Sequence, residues 1–506
     1  MSLVTRAAPS GEEIGTCCLV LHTHLPWVAH AGAWPVGEEW LHQAFTSSWR
    51  RVIDVCQRLA AEGRRDLLTL GITPTVAAML DDPYCLTQIH QWTGNWILRA
   101  EELASSSDHH LRELAHFEQA AARDCLINIE DRWLYGGSPI LRRLSEDSVL
   151  ELLGGPVAHP FLPLLDDRLV AHTLRTGSDD ARLRWGTRPV GIWSPECGYR
   201  PGLEQIFAAQ GIGHLLVDGP ALKGRTSQVH PIGATDVVCF GRDLEVTYRV
   251  WSPKSGYPGK AAYRDFHTFD HASGFRPARV TSRRIPPQDK APWDPVAAQA
   301  QARRDAVDFV DVVRRRLVDL AAETGRRAIT VAAFDTELFG HWWYEGPVWL
   351  EQVLRLLPLA GVRVTTLRAA AQAGHVGAPV ELPASSWGTG KDWRVWAGPQ
   401  VADIVDAAET LGKQLLSTVD ARPTTLRDRR LDQLCREAYL ALASDWAFMV
   451  SKNSAADYAR SRIATHSARF ERLRQALDTD PVRAAQVAAE CARVDGPWGH
   501  LDARLL

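Results

Sequence analysis

No stretch of this sequence approaches the roughly 18 consecutive apolar residues that a membrane-spanning helix requires. Residues 1–13 also carry no apolar core of the secretory-signal type. These absences exclude a helical membrane anchor and predict a cytoplasmic protein with no membrane partner. Cysteine is sparse and unpatterned: nine residues, an odd number without a C-x-x-C, which excludes a disulfide framework or a zinc ribbon. Charge of one sign is lacking too. A formal net charge of −3 gives no electrostatic footprint for nucleic acid and favours a neutral or mixed partner. There is no low-complexity tract and no internal repeat.

What the chain does have is length and apolar content. Its 506 residues, 45% hydrophobic and 23% charged, suffice for a large α/β core with one or two smaller units. Tryptophan stands out, at 19 residues against 13 Phe and 9 Tyr. Many lie in Gly-, Pro- and acid-rich surroundings, as at Trp27, Trp34 and Trp40 and again at Trp387, Trp393 and Trp396. Sugar rings stack their C–H faces on flat aromatic rings, so loop-borne tryptophans suit a carbohydrate groove.

Seven short runs have strand character, at 17–22, 67–73, 190–193, 214–218, 237–241, 328–335 and 362–367. Helical stretches separate most of them, which predicts a mostly parallel sheet or barrel made of residues 1–79 and 181–399. Residues 80–180 are polar and helical in pattern and predict an insertion. Residues 252–293 are irregular, rich in Pro, Gly, Tyr and Arg, and long enough to suggest a functional loop. After Pro399 the strands cease. Leu431, Leu434, Cys435, Ala438 and Leu442 mark one face of an amphipathic helix within a helical C-terminal domain, 400–506.

Two segments carry the chemistry. In Gly191-Ile192-Trp193-Ser194-Pro195-Glu196, Pro195 ends ladder pairing, so Glu196 is presented at the rim of the sheet. In Phe334-Asp335-Thr336-Glu337, two carboxylates lie two residues apart and share a face if the strand continues, so either suits a general acid. Apolar neighbours such as Phe334, Trp342 and Trp343 disfavour ionisation there, and a carboxylate across the site pushes the same way. Paired carboxylates at strand ends are the apparatus of a glycosidase. His22 and His24, also two apart, point the same way from the first strand. They suit hydrogen bonding to sugar hydroxyls or to the nucleophile, ahead of a buried structural role or a metal site, for which a third ligand is not evident. Trp27, Arg242, His341, Trp342, Trp387, Trp396 and Asp445 complete the substrate-binding candidates; Gly388 and Gly390 loosen the loop around Trp387.

Together these motifs resemble glycoside hydrolase family 57, and within it the α-1,4-glucan branching enzymes, over nearly the whole chain. The carriers are His22-Thr23-His24-Leu25-Pro26, with Leu25 where many members have Gln; Gly71-Ile72-Thr73-Pro74; Trp193-Ser194-Pro195-Glu196; Phe334 through Trp343; and Ser444-Asp445-Trp446. The resemblance implies a distorted (β/α)7 barrel with a helical insertion and an all-helical C-terminal domain. It implies Glu196 as nucleophile and Asp335, rather than Glu337, as general acid/base. Tyr257, in Gly256-Tyr257-Pro258-Gly259, resembles a mobile-loop residue that shields the covalent intermediate, and Trp387 and Trp396 resemble acceptor-side tryptophans. Ala278 stands where relatives usually carry an aromatic. The implied activity is transfer of an α-1,4-glucan chain to a 6-hydroxyl, with no metal or organic cofactor. The rivals are a 4-α-glucanotransferase, an α-amylase, a non-catalytic glucan-binding protein and a metal-dependent polysaccharide deacetylase.

Overall fold

The computed structural model describes residues 13–252 and 254–506; residues 1–12, most of the stretch read above for a signal, lie outside them. Its strands are β1 (Gly15–Thr23), β2 (Leu68–Ile72), β3 (Leu150–Leu153), β4 (Gly191–Ile192), β5 (His214–Asp218), β6 (His230–Pro231), β7 (Val238–Arg242), β8 (Ile329–Asp335) and β9 (Val362–Val364). All nine residues of β1 are buried, as expected of a strand covered on both faces, and its sequence is accordingly a near-continuous apolar run.

β3, β2, β1 and β8 pair in parallel in that order, and β4, β5 and β7 continue the series in a second sheet. Two junctions join the sheets. Gly154 donates its N–H to Gly191 O at 3.0 Å and accepts from Trp193 N–H at 3.0 Å, while Asp243 N–H reaches Val331 O at 2.8 Å. The result is a distorted seven-stranded α/β barrel, with β6 antiparallel to β7 outside the ring.

Six of the seven strand-like runs supply ring strands. The run at 362–367 does not: β9 lies beside the start of β1, with Gly15 opposite Val362, outside the ring. The missing ring strand is β3, inside the 80–180 stretch read as helical insertion. Only four residues long and interrupted by Glu151, it offers no periodicity to detect. Glu151 tolerates burial because His214 Nε2 lies 2.7 Å from one oxygen, while Thr69 and the Arg368 N–H donate to the other. The rest of that stretch is helical, at Pro83–Leu103, His109–Asn128, Ser138–Glu146 and Asp167–Trp185.

Residues 402–492 are helical, and the face formed by Leu431, Leu434, Cys435, Ala438 and Leu442 is buried. This helical unit is tied to the C-terminal rim of the barrel. Ser444 N–H donates to His159 O at 3.0 Å, Ala443 bridges Pro160, and the Trp498 indole donates to Pro74 O at 3.2 Å. Among the described residues no helix is long and apolar enough to cross a membrane.

Candidate active site

The strand ends of the ring converge at the rim where the helical unit docks. His22 comes from β1 and His24 from just past it, Thr73 from just past β2, Glu196 from the turn after β4, Asp218 from β5, Arg242 from β7 and Asp335 from β8. His22 and Asp335 are register partners across the β1–β8 pair.

Glu196 sits in a left-handed backbone conformation, φ 63° and ψ 19°, which costs a non-glycine residue of order 1–2 kcal/mol. Its surroundings over-determine it. Ser194 Oγ donates to Gly198 O at 2.7 Å, Tyr199 and Ser385 exchange backbone hydrogen bonds at 3.0 Å, and Trp387 N–H donates to Glu196 O at 2.9 Å. Each carboxylate oxygen has its own donor: the Trp387 indole N–H to Oε2 at 2.9 Å and Ser444 Oγ–H to Oε1 at 3.0 Å. Ser444 opens the helix Ser444–Lys452, so a helix N-terminus also faces this carboxylate.

Behind Ser444 runs a directed chain. His159 Nδ1 lies 3.0 Å from Ser444 Oγ, and His22 Nε2 lies 3.1 Å from His159 Nε2. Burial holds both imidazoles well below the usual histidine range and therefore neutral. Because Ser444 spends its proton on Glu196, His159 must donate from Nδ1 and accept from His22 Nε2–H, and the three donors line up toward the nucleophile. His22 in turn lies flat on Trp193, ring centroids 4.3 Å apart. A Cβ on Gly71 would come within 3.3 Å of His22 Nδ1, which explains the glycine there.

The electrostatics raise both carboxylates. Burial is the largest cause in each case. Glu196 is pushed up to about 7, opposed by its Trp387 and Ser444 hydrogen bonds; Asp335 is pushed up to about 7 by burial and then by the Glu196 charge, opposed by Arg242 and His24. The two donors favour the ionised form of Glu196, and its charge in turn favours the protonated form of Asp335. Glu337 departs from expectation. β8 ends at Asp335 and a 3₁₀ turn, Thr336–Leu338, follows, so the two side chains do not share a face. Glu337 is buried, accepts the Trp49 indole N–H at 2.6 Å, and is pushed up to about 8 by burial and Asp335.

Of the other candidates, His24 bridges Thr73 Oγ1 and Asp445 Oδ2, at 3.0 Å each. Asp218, buried, binds Arg242 Nε and Lys391 Nζ at 2.7 Å each. Lys391 also donates to Trp387 O at 3.0 Å, and the Arg242 guanidinium lies 5.3 Å from the Trp387 ring centroid. The loop carrying Trp387 is therefore clamped from below. His341 and Trp342 line a separate cavity.

Three candidates are placed differently from the expectation. Tyr257 does not lie over the site in this structure: it is 0% exposed, packed near Trp343 and Trp349, and its hydroxyl donates to Asp308 at 2.5 Å. Trp396 is not an open acceptor wall but a buried ring stacked on Phe161 at 4.8 Å, beneath Gly388. Trp27 is buried with its indole N–H on Val494 O. Tyr257 and Trp27 each combine packing with one hydrogen bond, whereas Trp396 is held by packing alone, its buried indole N–H without a partner among the described residues. His159, Lys391 and Asp218 were not anticipated; nothing local in the sequence marks them, because their partners lie far away along the chain.

His24, His159 and Asp445 place one ligand atom each within 4.8 Å of one another, the spacing of a three-ligand metal site. All three are engaged in the hydrogen bonds just described, which a metal would have to displace.

A family model described as Glycosyl hydrolase family 57 matches residues 18–377, and one described as the C-terminal part of 1,4-alpha-glucan branching enzyme matches residues 406–506. The chain is 53% identical to a probable 1,4-alpha-glucan branching enzyme of Mycobacterium tuberculosis, over 97% of its length and 98% of the relative's. It is 30% identical to a 1,4-alpha-glucan branching enzyme of Thermococcus kodakarensis, over 92% of this chain and 74% of that one. Among solved structures, a GH57-type branching enzyme of Pyrococcus horikoshii superposes with a TM-score of 0.91 at 29% identity, covering 97% of this chain and 96% of that one. An α-amylase of Thermotoga maritima shares the fold, at a TM-score of 0.85 and 24% identity over 97% of this chain and 98% of that one.

Proposed function

The chain belongs to glycosyl hydrolase family 57, and we propose that it is a 1,4-α-glucan branching enzyme working by a retaining double displacement. Glu196 attacks the anomeric carbon of an α-1,4 linkage while Asp335 gives its proton to the departing 4-oxygen; the glycosidic bond breaks as the ester to Glu196 forms. Asp335 then takes the proton of an incoming 6-hydroxyl, whose oxygen displaces Glu196 and leaves an α-1,6 branch. The observation that carries this reading is the asymmetry of the two half-buried carboxylates, one held by two hydrogen-bond donors and the other without one among the described residues and raised by the first's charge. Retention calls for carboxylates about 5–5.5 Å apart.

Arg242, His24 and Asp445 border the pair and suit binding of sugar hydroxyls, and Trp387 offers its ring as a stacking face beside the nucleophile. The choice of a sugar hydroxyl over water rests on the branching-enzyme relatives. The donor is an α-1,4-glucan of the amylose or glycogen type, which assigns the enzyme to glycogen-like polymer synthesis. Nine buried, unpaired cysteines fit a reducing cytoplasm.

The test is incubation with amylose, following α-1,6 anomeric signals by proton NMR beside reducing ends. New α-1,6 signals with few reducing ends are expected. Reducing ends without α-1,6 signals would make it an amylase, redistributed linear chains a glucanotransferase, and no turnover a glucan-binding protein. Chelator treatment is expected to leave activity intact; its loss would point to the His24–His159–Asp445 trio and a deacetylase.

A further inference from the structure

We propose that the cavity lined by His341 and Trp342 is a subsite for an anionic group, a carboxylate or a phosphate, carried by a sugar; this rests on the carbohydrate reading above and names a ligand class for a second part of it. The cavity measures about 240 Å³, below the roughly 300–1,000 Å³ of pockets for drug-sized ligands, so it suits a small substituted sugar rather than a long chain. It is joined to the acid/base segment through Gly340, His341 and Trp342, a few residues beyond Asp335. Trp34, which is 72% exposed, Trp92, Phe266 and Phe269 supply faces on which a sugar ring stacks.

Aromatics alone would fit a neutral glucan; the charges do not. Five arginines and three carboxylates line the cavity, leaving two positive charges in surplus. Arg50 is bound by Asp54 and Asp124, and Arg264 by Glu118. Glu39 accepts from the Gln43 amide and the Trp92 indole, and Arg51 donates to the carbonyls of Ser47 and Tyr344.

That leaves Arg99 and Arg276, neither with a carboxylate partner among the described residues. Arg99 lies 5.5 Å from the Trp92 ring centroid and 5.4 Å from that of Phe275. Arg276 donates one bond, to Phe266 O at 2.8 Å, and lies over Phe266 and Phe269.

A guanidinium has five N–H donors in a planar fork matched to carboxylate and phosphate oxygens, so most of this donor capacity is unspent. Burial and the neighbouring Arg264 push Arg276 down to about 10, and burial lowers Arg99. Both remain protonated at neutral pH; Glu39 and Glu118, joined at Arg276 by Asp265, offset part of the cost of burial without bonding to either, and an anion between the two arginines would offset more. His341, pushed down to about 3 by burial and Arg276, is neutral; its Nδ1 lies 3.4 Å from Ser47 Oγ, and Nε2 can bond a sugar hydroxyl without opposing that anion.

The test is calorimetric titration of the full-length protein at low salt with three probes: maltotetraose, its aldonic acid with the reducing end oxidised to a carboxylate, and maltotetraose 1-phosphate. At least one anionic probe is expected to bind about tenfold tighter than the neutral one, with the tighter of the two identifying the source of the charge. The double variant Arg99→Gln/Arg276→Gln is expected to bind all three alike. Equal affinity for the three probes in the wild type, or an anion preference that survives the double substitution, would overturn the proposal; the wild-type comparison stands even if the variant does not fold. Because binding is read without turnover, failure to branch amylose counts against the proposed function and not against this subsite.

Discussion

At the scale of single residues, Glu196 is defined by what it accepts. Ser444→Ala removes one of its two donors, and a hydrogen bond to a charged group contributes about 1.5–3 kcal/mol. The expected outcome is a loss of roughly 10–100-fold in kcat, with the acidic limb of the kcat/KM profile moved to higher pH, since the lost donor favoured the ionised form. An unmoved limb would deny Ser444 that role. The basic limb belongs to Asp335. Its acid form is held to about 7, so kcat/KM is expected to fall as pH rises through that region. With an activated donor such as α-maltotriosyl fluoride, whose leaving group needs no proton, the fall should weaken for glycosylation; its persistence would argue against Asp335 as the acid. The nucleophile motif was legible because Pro195 is a local signal for leaving the strand. Ser444 and His159 as working parts were not, since Ser444 meets Glu196 across 248 residues and nothing in the sequence states that contact.

At the scale of elements, local chemistry explains both what could be read and what could not. Asp243 and Thr73 cap the helices that follow β7 and β2, and such caps beside apolar runs make βα units visible in a sequence. β3 escaped because four residues with a buried Glu carry no period. The tie between Asp335 and Glu337 rested on a strand that in fact stops, and the 3₁₀ turn sends Glu337 to Trp49. The shielding role of Tyr257 was implied by the family resemblance; in this structure its ring is anchored between Arg249, Lys260 and the Trp343–Trp349 layer. Tyr257→Ala is therefore expected to cost about 3–5 kcal/mol of stability, the scale for truncating a buried aromatic, seen as a lowered melting temperature. A change confined to the ratio of hydrolysis to transfer, with stability untouched, would restore the shielding role.

At the scale of the whole molecule, four carboxylates are raised. Glu196, Asp335 and Glu337 at the barrel rim are pushed up to about 7, about 7 and about 8, and Glu437, in the C-terminal helix Arg429–Ala441, to about 7. A raised carboxylate pKa means that the folded state binds more protons than the unfolded one, so stability present at low pH is lost as pH rises through the folded value. Buried cysteines act with the same sign once the unfolded thiols begin to ionise near pH 8.5. The buried, neutral histidines oppose this only below their unfolded value near 6.5. Melting temperature is therefore expected to fall between about pH 7 and 9. Glu337→Gln, which keeps an oxygen for the Trp49 N–H, should flatten that fall; a melting temperature that rises over the window would contradict the assignment. The covalent step at Glu196 is tested by mass spectrometry of the Asp335→Ala variant after reaction with α-maltotriosyl fluoride. The expected result is a glycosylated peptide carrying its sugar on Glu196; a label on another residue, or no adduct together with product of inverted anomeric configuration, would contradict it.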